Sequence, residues 1–189
     1  MKNDKIKCVV WDLDNTLWKG RLLEDDNVTA LRETIEVMHL LDKRGILQSI
    51  ASKNDFDMCK KKLENIGIWE LFLYPQINWS DKSESIKKIS DLLNISTDTF
   101  AFVDDEIYER DEVKFNLPKI LCIDSSEISK IPDMQCMNPL FVTEDSKFRR
   151  KLYISDIERN KNEAIFEWTK EEFLASLHMT MTLSLRRRH

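Results

Sequence analysis

The sequence predicts an α/β protein built on a doubly wound, mostly parallel sheet with helices on both faces. Three observations predict it. Along residues 6–124, short apolar or β-branched runs alternate with stretches of helical period, which is the pattern of successive βαβ units. Glycine and proline are scarce, three and four in 189 residues, so each one marks a boundary. The apolar runs ending at Trp11 and Val103 lead directly into paired aspartates, Asp12 with Asp14 and Asp104 with Asp105, a costly place for charge unless a ligand sits there.

The elements follow in order. Residues 6–11, IKCVVW, read as a strand buried on both faces. After a polar patch reaching Asn27, the spacing of Val28, Leu31, Ile35, Met38 and Leu41 predicts a helix that stops at Gly45. Ile46 to Ala51 is a second strand, ending at Ser52-Lys53-Asn54-Asp55. Asn54 or Asp55 can cap the next helix, which carries Phe56, Cys59, Leu63 and Ile66 on one face and closes at Gly67. A short strand is expected over Leu71–Tyr74 before Pro75, and a helix after Lys82 with Ile86, Ile89 and Leu93 inward. Thr99–Val103 forms a strand running into Asp104-Asp105, a helix runs from about Ile107 to before Pro118, and Lys119–Ile123 is the last strand.

Composition excludes several classes of function. With 42% hydrophobic and 33% charged residues and a net charge of −5, the chain lacks the basic footprint of a nucleic-acid binder. No apolar run is long enough to cross a bilayer, and the opening MKNDKIK lacks the apolar stretch of a secretory signal, so no membrane partner and a cytoplasmic location are expected. Cys8, Cys59, Cys122 and Cys136 have no CxxC spacing, which argues for reduced, largely buried thiols rather than zinc or disulfides.

In a sheet of this kind, ligands bind beyond the carboxyl ends of the strands. That rule brings Asp12, Asp14, Ser52, Lys82, Asp104 and Asp105 to one edge. Clustered carboxylates raise one another's pKa unless a cation lies among them, and a hard oxygen set suits Mg²⁺ with phosphate as its further partner. The expected chemistry is phosphoryl transfer. Asp12 is assigned as the nucleophile, and Asp14, its side chain turned from the ion, as the acid that protonates the leaving oxygen and then takes a proton from water. Thr16 and Ser52 offer hydroxyls, Lys82 offsets negative charge, Asp105 holds the metal, and Asp104 steadies Lys82 or a metal water. The expected metal set is Asp12, Asp14 and Asp105, and the expected substrate contacts are Ser52, Lys53, Asn54 and Trp18. Trp18 and Trp79 are also of a type that packs in a core or lid more often than it meets substrate.

Four motifs, D-L-D-N-T at 12–16, Ser52, Lys82 and V-D-D at 103–105, resemble those of the haloacid dehalogenase-like (HAD) phosphohydrolases in order and spacing. The resemblance implies the HAD Rossmann-like fold with a minimal cap, and an aspartyl-phosphate mechanism with Mg²⁺. More narrowly, D-L-D-N-T-L-W, S-K-N-D at 52–55, N-W-S-D-K-S-E at 78–84 and V-D-D-E-I-Y-E-R at 103–110 are similar to the FkbH-like branch. That likeness implies dephosphorylation of a phosphorylated three-carbon acyl donor, 1,3-bisphosphoglycerate, and loading of the glyceryl unit onto an acyl carrier protein in polyketide biosynthesis. One position departs from it: members that form an acyl thioester carry cysteine where this chain has Ala51. Cys8 lies four residues up a buried strand, about 13 Å from Asp12 by strand rise. Either the acyl group passes directly to the carrier, or Ala51 is an engineered change, or the chain is a phosphatase of another substrate.

No insertion large enough for a cap domain separates the motifs; only Lys19–Asp26 is of a size for a small flap. A docking protein can exclude water from such an open site. The catalytic core is expected to span residues 1–124. Residues 125–189 are expected to form an irregular linker, Ser125–Pro139, and a helical extension packed on the core: a charged helix from Thr143, a second behind a capping box at Thr169, and an alternating stretch at Met179–Leu185. The basic run Lys147, Arg149, Arg150, Lys151 reads as a solvated helix face or a surface for an acidic carrier protein. Larger proteins of the branch this chain resembles continue past a similar F-L-x-S-L stretch, so the chain is expected to be either an excised piece or a short member.

Overall fold

The computed structural model describes residues 5–25, 27–139 and 148–159. Five parallel strands form the sheet: β1 (Cys8–Trp11), β4 (Leu47–Ser52), β5 (Gln76–Ile77), β6 (Phe100–Asp104) and β7 (Leu121–Asp124), in the order β5-β4-β1-β6-β7. A two-stranded antiparallel ribbon, β2 (Trp18–Lys19) with β3 (Thr29–Ala30), stands beside it. The connecting helices are α1 (Arg32–Lys43), α2 (Phe56–Ile66), α3 (Lys82–Leu93) and α4 (Ile107–Asn116). This is the predicted α/β class.

β1 is central, and all four of its residues are fully buried. Burial on both pleated faces is what an uninterrupted C-V-V-W run supports. Its one polar demand is met internally: the Trp11 indole donates to Gln48 Oε1 at 2.8 Å. Helix α2 starts at Asp55, whose side chain accepts the Met58 N–H at 2.9 Å, and ends at Gly67 with φ +80°, a left-handed geometry glycine adopts without a side-chain penalty. Helix α3 buries Ile86, Ile89 and Leu93 as its spacing predicts.

Three expected boundaries move. Val28 and Leu31 precede α1, because Ala30 pairs with Trp18 and the Leu31 N–H donates to the Leu17 carbonyl at 2.9 Å; Thr34, Val37, Met38 and Leu41 form the buried face instead. The strand expected over Leu71–Tyr74 lies after Pro75. Residues Trp69–Leu71 form a 3-10 turn, Phe72 makes a single bridge to Gln48, and Tyr74 turns the chain at φ +50° before β5. The segment expected to be irregular after Asp124 is ordered as 3-10 helix over Ser125–Asp133 and Gln135–Met137. It packs against α1 with Ile128, Ile131 and Met137 buried.

The chain divides into two compact units, Met1–Lys151 and Leu152–His189. Within the first unit the 3-10 segment buries apolar side chains, and Arg150 pairs with Asp42 at 2.8 Å. Arg150 is therefore no solvated face. Of the second unit, residues 152–159 are described and are helical. The expected helix start at Thr143, the capping box at Thr169, the stretch Met179–Leu185 and Lys147 lie outside the described residues. Among the described residues, no helix is long and apolar enough to cross a membrane.

Candidate active site

The carboxyl ends of β1, β4 and β6 meet at a cavity of about 370 Å³, walled by Asp12, Asp14, Ser52, Lys53, Lys82, Asp104 and Asp105. Asp12 follows β1, its N–H bonded to the Val103 carbonyl at 2.9 Å. Ser52 closes β4 and Asp104 closes β6. Lys82 opens α3, where a cation opposes the helix dipole. Its place is set from the other side: its ammonium donates to Asp12 Oδ1 and, at 2.9 Å, to Asp104 Oδ2. All three groups are buried.

Burial and charge act against each other here. Burial alone depresses the Lys82 ammonium, but the Asp12 and Asp104 carboxylates outweigh it and hold its pKa above the usual lysine value. Burial pushes the Asp104 carboxyl up to about 6, the Asp12 charge adding to the rise and Lys82 opposing it. Burial likewise raises Asp12, against Lys82, the Leu13 N–H and the Ser52 hydroxyl. Asp105 is raised by burial and then by Asp104.

Carboxylate oxygens of Asp12, Asp104 and Asp105 lie within 4.8 Å of one another. Three acids held that close, with pKa values raised by burial and mutual repulsion, form a hard-oxygen set that fits a divalent cation such as Mg²⁺. The set differs from the expected one at one member. Asp14 Oδ1 accepts the Trp18 indole N–H at 2.7 Å and the Leu22 N–H at 3.1 Å, and its Oδ2 accepts Asn54 Nδ2 at 3.1 Å. Those donors hold the Asp14 side chain, which is not among the three clustered carboxylates, whereas that of Asp104 is.

Other expected residues also change role. Trp18 is fully buried and Asn54 nearly so; both act on Asp14, and neither lines the cavity. Thr16 is fully buried under the turn. Its carbonyl accepts the Thr34 hydroxyl at 3.1 Å, its own Oγ1 has no partner, and it does not line the cavity. Lys53 does line it, paired with Glu109 at 2.8 Å and Asp81 at 4.0 Å. Its hydrogen bond to Glu109 is the main reason its pKa is raised. Ala51 is fully buried on β4. Among the cysteines, burial puts Cys8 far above the usual thiol range, Cys59 at about 12 and Cys122 at about 11.

Of the flap expected at Lys19–Asp26, residues 19–25 are described: they lead from β2 into the turn of the β2–β3 ribbon, and Arg21, Leu23 and Glu24 reach the cavity wall. Arg21 pairs with Glu106 at 3.1 Å, tying the flap to the β6–α4 turn. Sequence reasoning assigns no role to Arg21, and Glu106, Glu109 and Arg110 enter it only inside the V-D-D-E-I-Y-E-R stretch at 103–110. Arg110 donates to the Asp104 carbonyl at 2.7 Å and fixes that strand end. The signal was present: Glu106, Glu109 and Arg110 follow the aspartate pair at helical spacing, so one helix face returns to the site. Trp79, weighed as packing, stands on the wall 67% exposed.

No protein-family model and no curated protein sequence matches the chain. Solved structures do. The N-terminal part of a Bacteroides fragilis protein, containing a phosphatase domain complexed with Mg, is 28% identical over 66% of this chain, with a TM-score of 0.57; the match spans 38% of that chain. A HAD-superfamily hydrolase from Ehrlichia chaffeensis is 13% identical over 67% of this chain and 96% of its own, with a TM-score of 0.53. A second, subfamily IA, from Geobacter sulfurreducens is 12% identical over 65% of this chain and 97% of its own, with a TM-score of 0.51. The chain has the Rossmann-like fold of the HAD-superfamily hydrolases.

Proposed function

We propose that this chain is a Mg²⁺-dependent phosphatase that works through a phosphorylated Asp12. One observation carries the reading: a buried lysine bridges two carboxylates at the mouth of a parallel sheet, with Asp105 beside them and Asp14 held by other donors. The Mg²⁺-bound phosphatase domain from Bacteroides fragilis, at 28% identity, supports it.

The roles follow from the geometry. Asp12, Asp104 and Asp105 would hold the cation, which when bound offsets phosphate charge. A carboxylate oxygen of Asp12 attacks phosphorus, the ester P–O bond breaks, and Asp14 gives its proton to the departing oxygen. Water then attacks the phosphorylated Asp12; Asp14 takes the proton from that water, and inorganic phosphate leaves. Lys82 offsets the charge on Asp12 and the phosphate, and Ser52 offers its hydroxyl to a phosphate oxygen. Asn54, Trp18 and the Leu22 N–H fix Asp14 for both proton transfers.

A second reading, glyceryl transfer from 1,3-bisphosphoglycerate to an acyl carrier protein, is favoured by the S-K-N-D and N-W-S-D-K-S-E stretches. With alanine at 51 and Cys8 and Cys59 buried, that reading has the acyl group pass directly to the carrier thiol. Phosphate release from a panel of phosphate esters and acyl phosphates in Mg²⁺, against Asp12→Asn, tests the first reading. Release by the parent chain alone is expected, and equal inertness of both proteins overturns it. Mass spectrometry of a carrier protein incubated with the chain and 1,3-bisphosphoglycerate tests the second: a glyceryl mass supports it, an unchanged carrier contradicts it.

A further inference from the structure

Phosphate cleavage as just described uses neither of the two large apolar side chains on the cavity wall, Trp79, 67% exposed, and Leu23, 50% exposed. Trp79 is not on a loose loop. The Asn78 N–H donates to the Ser52 carbonyl at 3.0 Å, and the Asn78 side chain accepts the Ser80 N–H at 2.9 Å. The backbone is therefore fixed on both sides of Trp79, three residues before Lys82. A rigid turn thus presents a flat aromatic surface to solvent on the wall that carries the nucleophile.

Space and charge narrow what that surface meets. At about 370 Å³, the cavity falls within the range of sites that enclose a small organic molecule, roughly 300–1,000 Å³, so a phosphate at Asp12 leaves room for the group it esterifies. The outer wall suits no second anion. Its two cations are already paired, Arg21 with Glu106 and Glu24, and Lys53 with Glu109 and Asp81. Glu109 Oε2 is buried without a partner, so drawing Lys53 away leaves that carboxylate uncompensated.

We propose that the site takes phosphomonoesters whose leaving group is flat, carries no second anionic group and stacks on Trp79. This rests on the phosphatase reading above, narrows its substrate class, and disfavours a bisphosphorylated three-carbon donor.

The test compares the parent chain with Trp79→Ala and Trp79→Phe in Mg²⁺. One arm measures kcat/KM for phenyl phosphate, glycerol 1-phosphate and 3-phosphoglycerate; the other measures calorimetric binding of phenylphosphonate and methylphosphonate, which are not hydrolysed. The expected order is phenyl phosphate, then glycerol 1-phosphate, then 3-phosphoglycerate. Trp79→Ala lowers the preference for phenyl over glycerol phosphate by about tenfold, and Trp79→Phe keeps most of it. A preference for 3-phosphoglycerate, or one for phenyl phosphate that Trp79→Ala leaves intact, overturns the inference. Should neither these esters nor acyl phosphates release phosphate, the phosphatase reading fails while the binding arm still decides this one. Tighter phenylphosphonate binding that depends on Trp79 upholds it, and equal binding of the two phosphonates overturns it.

Discussion

The Trp18 indole N–H donates to Asp14 Oδ1 at 2.7 Å from a fully buried ring. A tryptophan four residues past the acid thereby sets where the acid points, and the sequence placed it among the substrate contacts. Replacing Trp18 with phenylalanine keeps an aromatic ring, though a smaller one, and removes the donor. The Leu22 and Asn54 bonds remain to hold Asp14, so kcat falls by about tenfold with KM little changed. Steady-state kinetics on a folded Trp18→Phe protein checks this; an unaltered kcat contradicts it.

Lys82 is the sole ammonium bonded to both Asp12 and Asp104 among the described residues. Lys82→Met leaves two buried carboxylates facing each other, a loss of roughly 3–5 kcal/mol for breaking a buried pair from one side. Urea unfolding of the metal-free protein at pH 7 measures it. The deficit shrinks at pH 5, where protonation of the carboxyls relieves the repulsion, and a deficit independent of pH rejects this account.

Asp104 gives the metal-free protein a pH dependence with a definite sign. Its folded pKa is raised, to about 6, by burial and by Asp12, so the folded state holds its proton more tightly than the unfolded chain does. The stability this contributes is complete below the unfolded value, near 4, and is lost as pH rises through about 6. Thermal melts in chelator therefore show a midpoint drifting down over that window, and saturating Mg²⁺ restores it at pH 7 by favouring the charged form. A rising midpoint in chelator over the same window contradicts the burial of Asp104.

Gly67 ends α2 at φ +80°, with nothing within 4 Å of where a Cβ would stand. Gly67→Ala therefore meets no clash and bears only the backbone penalty, about 1 kcal/mol. Chemical denaturation reads it out, with activity unchanged.

Most of the fold was legible because the strands are short apolar runs in a parallel sheet and the helices have one apolar face. Ile86, Ile89 and Leu93 are inward as their spacing requires. The failures have physical causes. Val28 and Leu31 fit a helical stripe, but they flank β3, whose Thr29 and Ala30 pair with Lys19 and Trp18, and the Leu31 N–H donates to the Leu17 carbonyl. Tyr74 adopts a positive φ that its side chain does not announce. The 3-10 segment after Asp124 owes its order to burial against α1, a long-range contact with no local period.

The site was legible in its acids and its lysine, because motif spacing and strand ends determine which residues converge. Which acid belongs to the metal cluster was not, since Trp18, Leu22 and Asn54 hold Asp14 through hydrogen bonds that only the folded chain supplies. Nor was the outer wall, where Arg21 and Glu106 meet from positions 85 residues apart.

The claim on which the rest depends is that Asp12 carries the phosphoryl group. Acid-quenching the Mg²⁺-loaded protein during turnover of phenyl phosphate, followed by peptide mass spectrometry, reads that directly. The account predicts one phosphoryl mass on the peptide containing Asp12, absent without Mg²⁺ and absent in Asp12→Asn. Phosphate released with the label on another residue, or with turnover intact in Asp12→Asn, would contradict it.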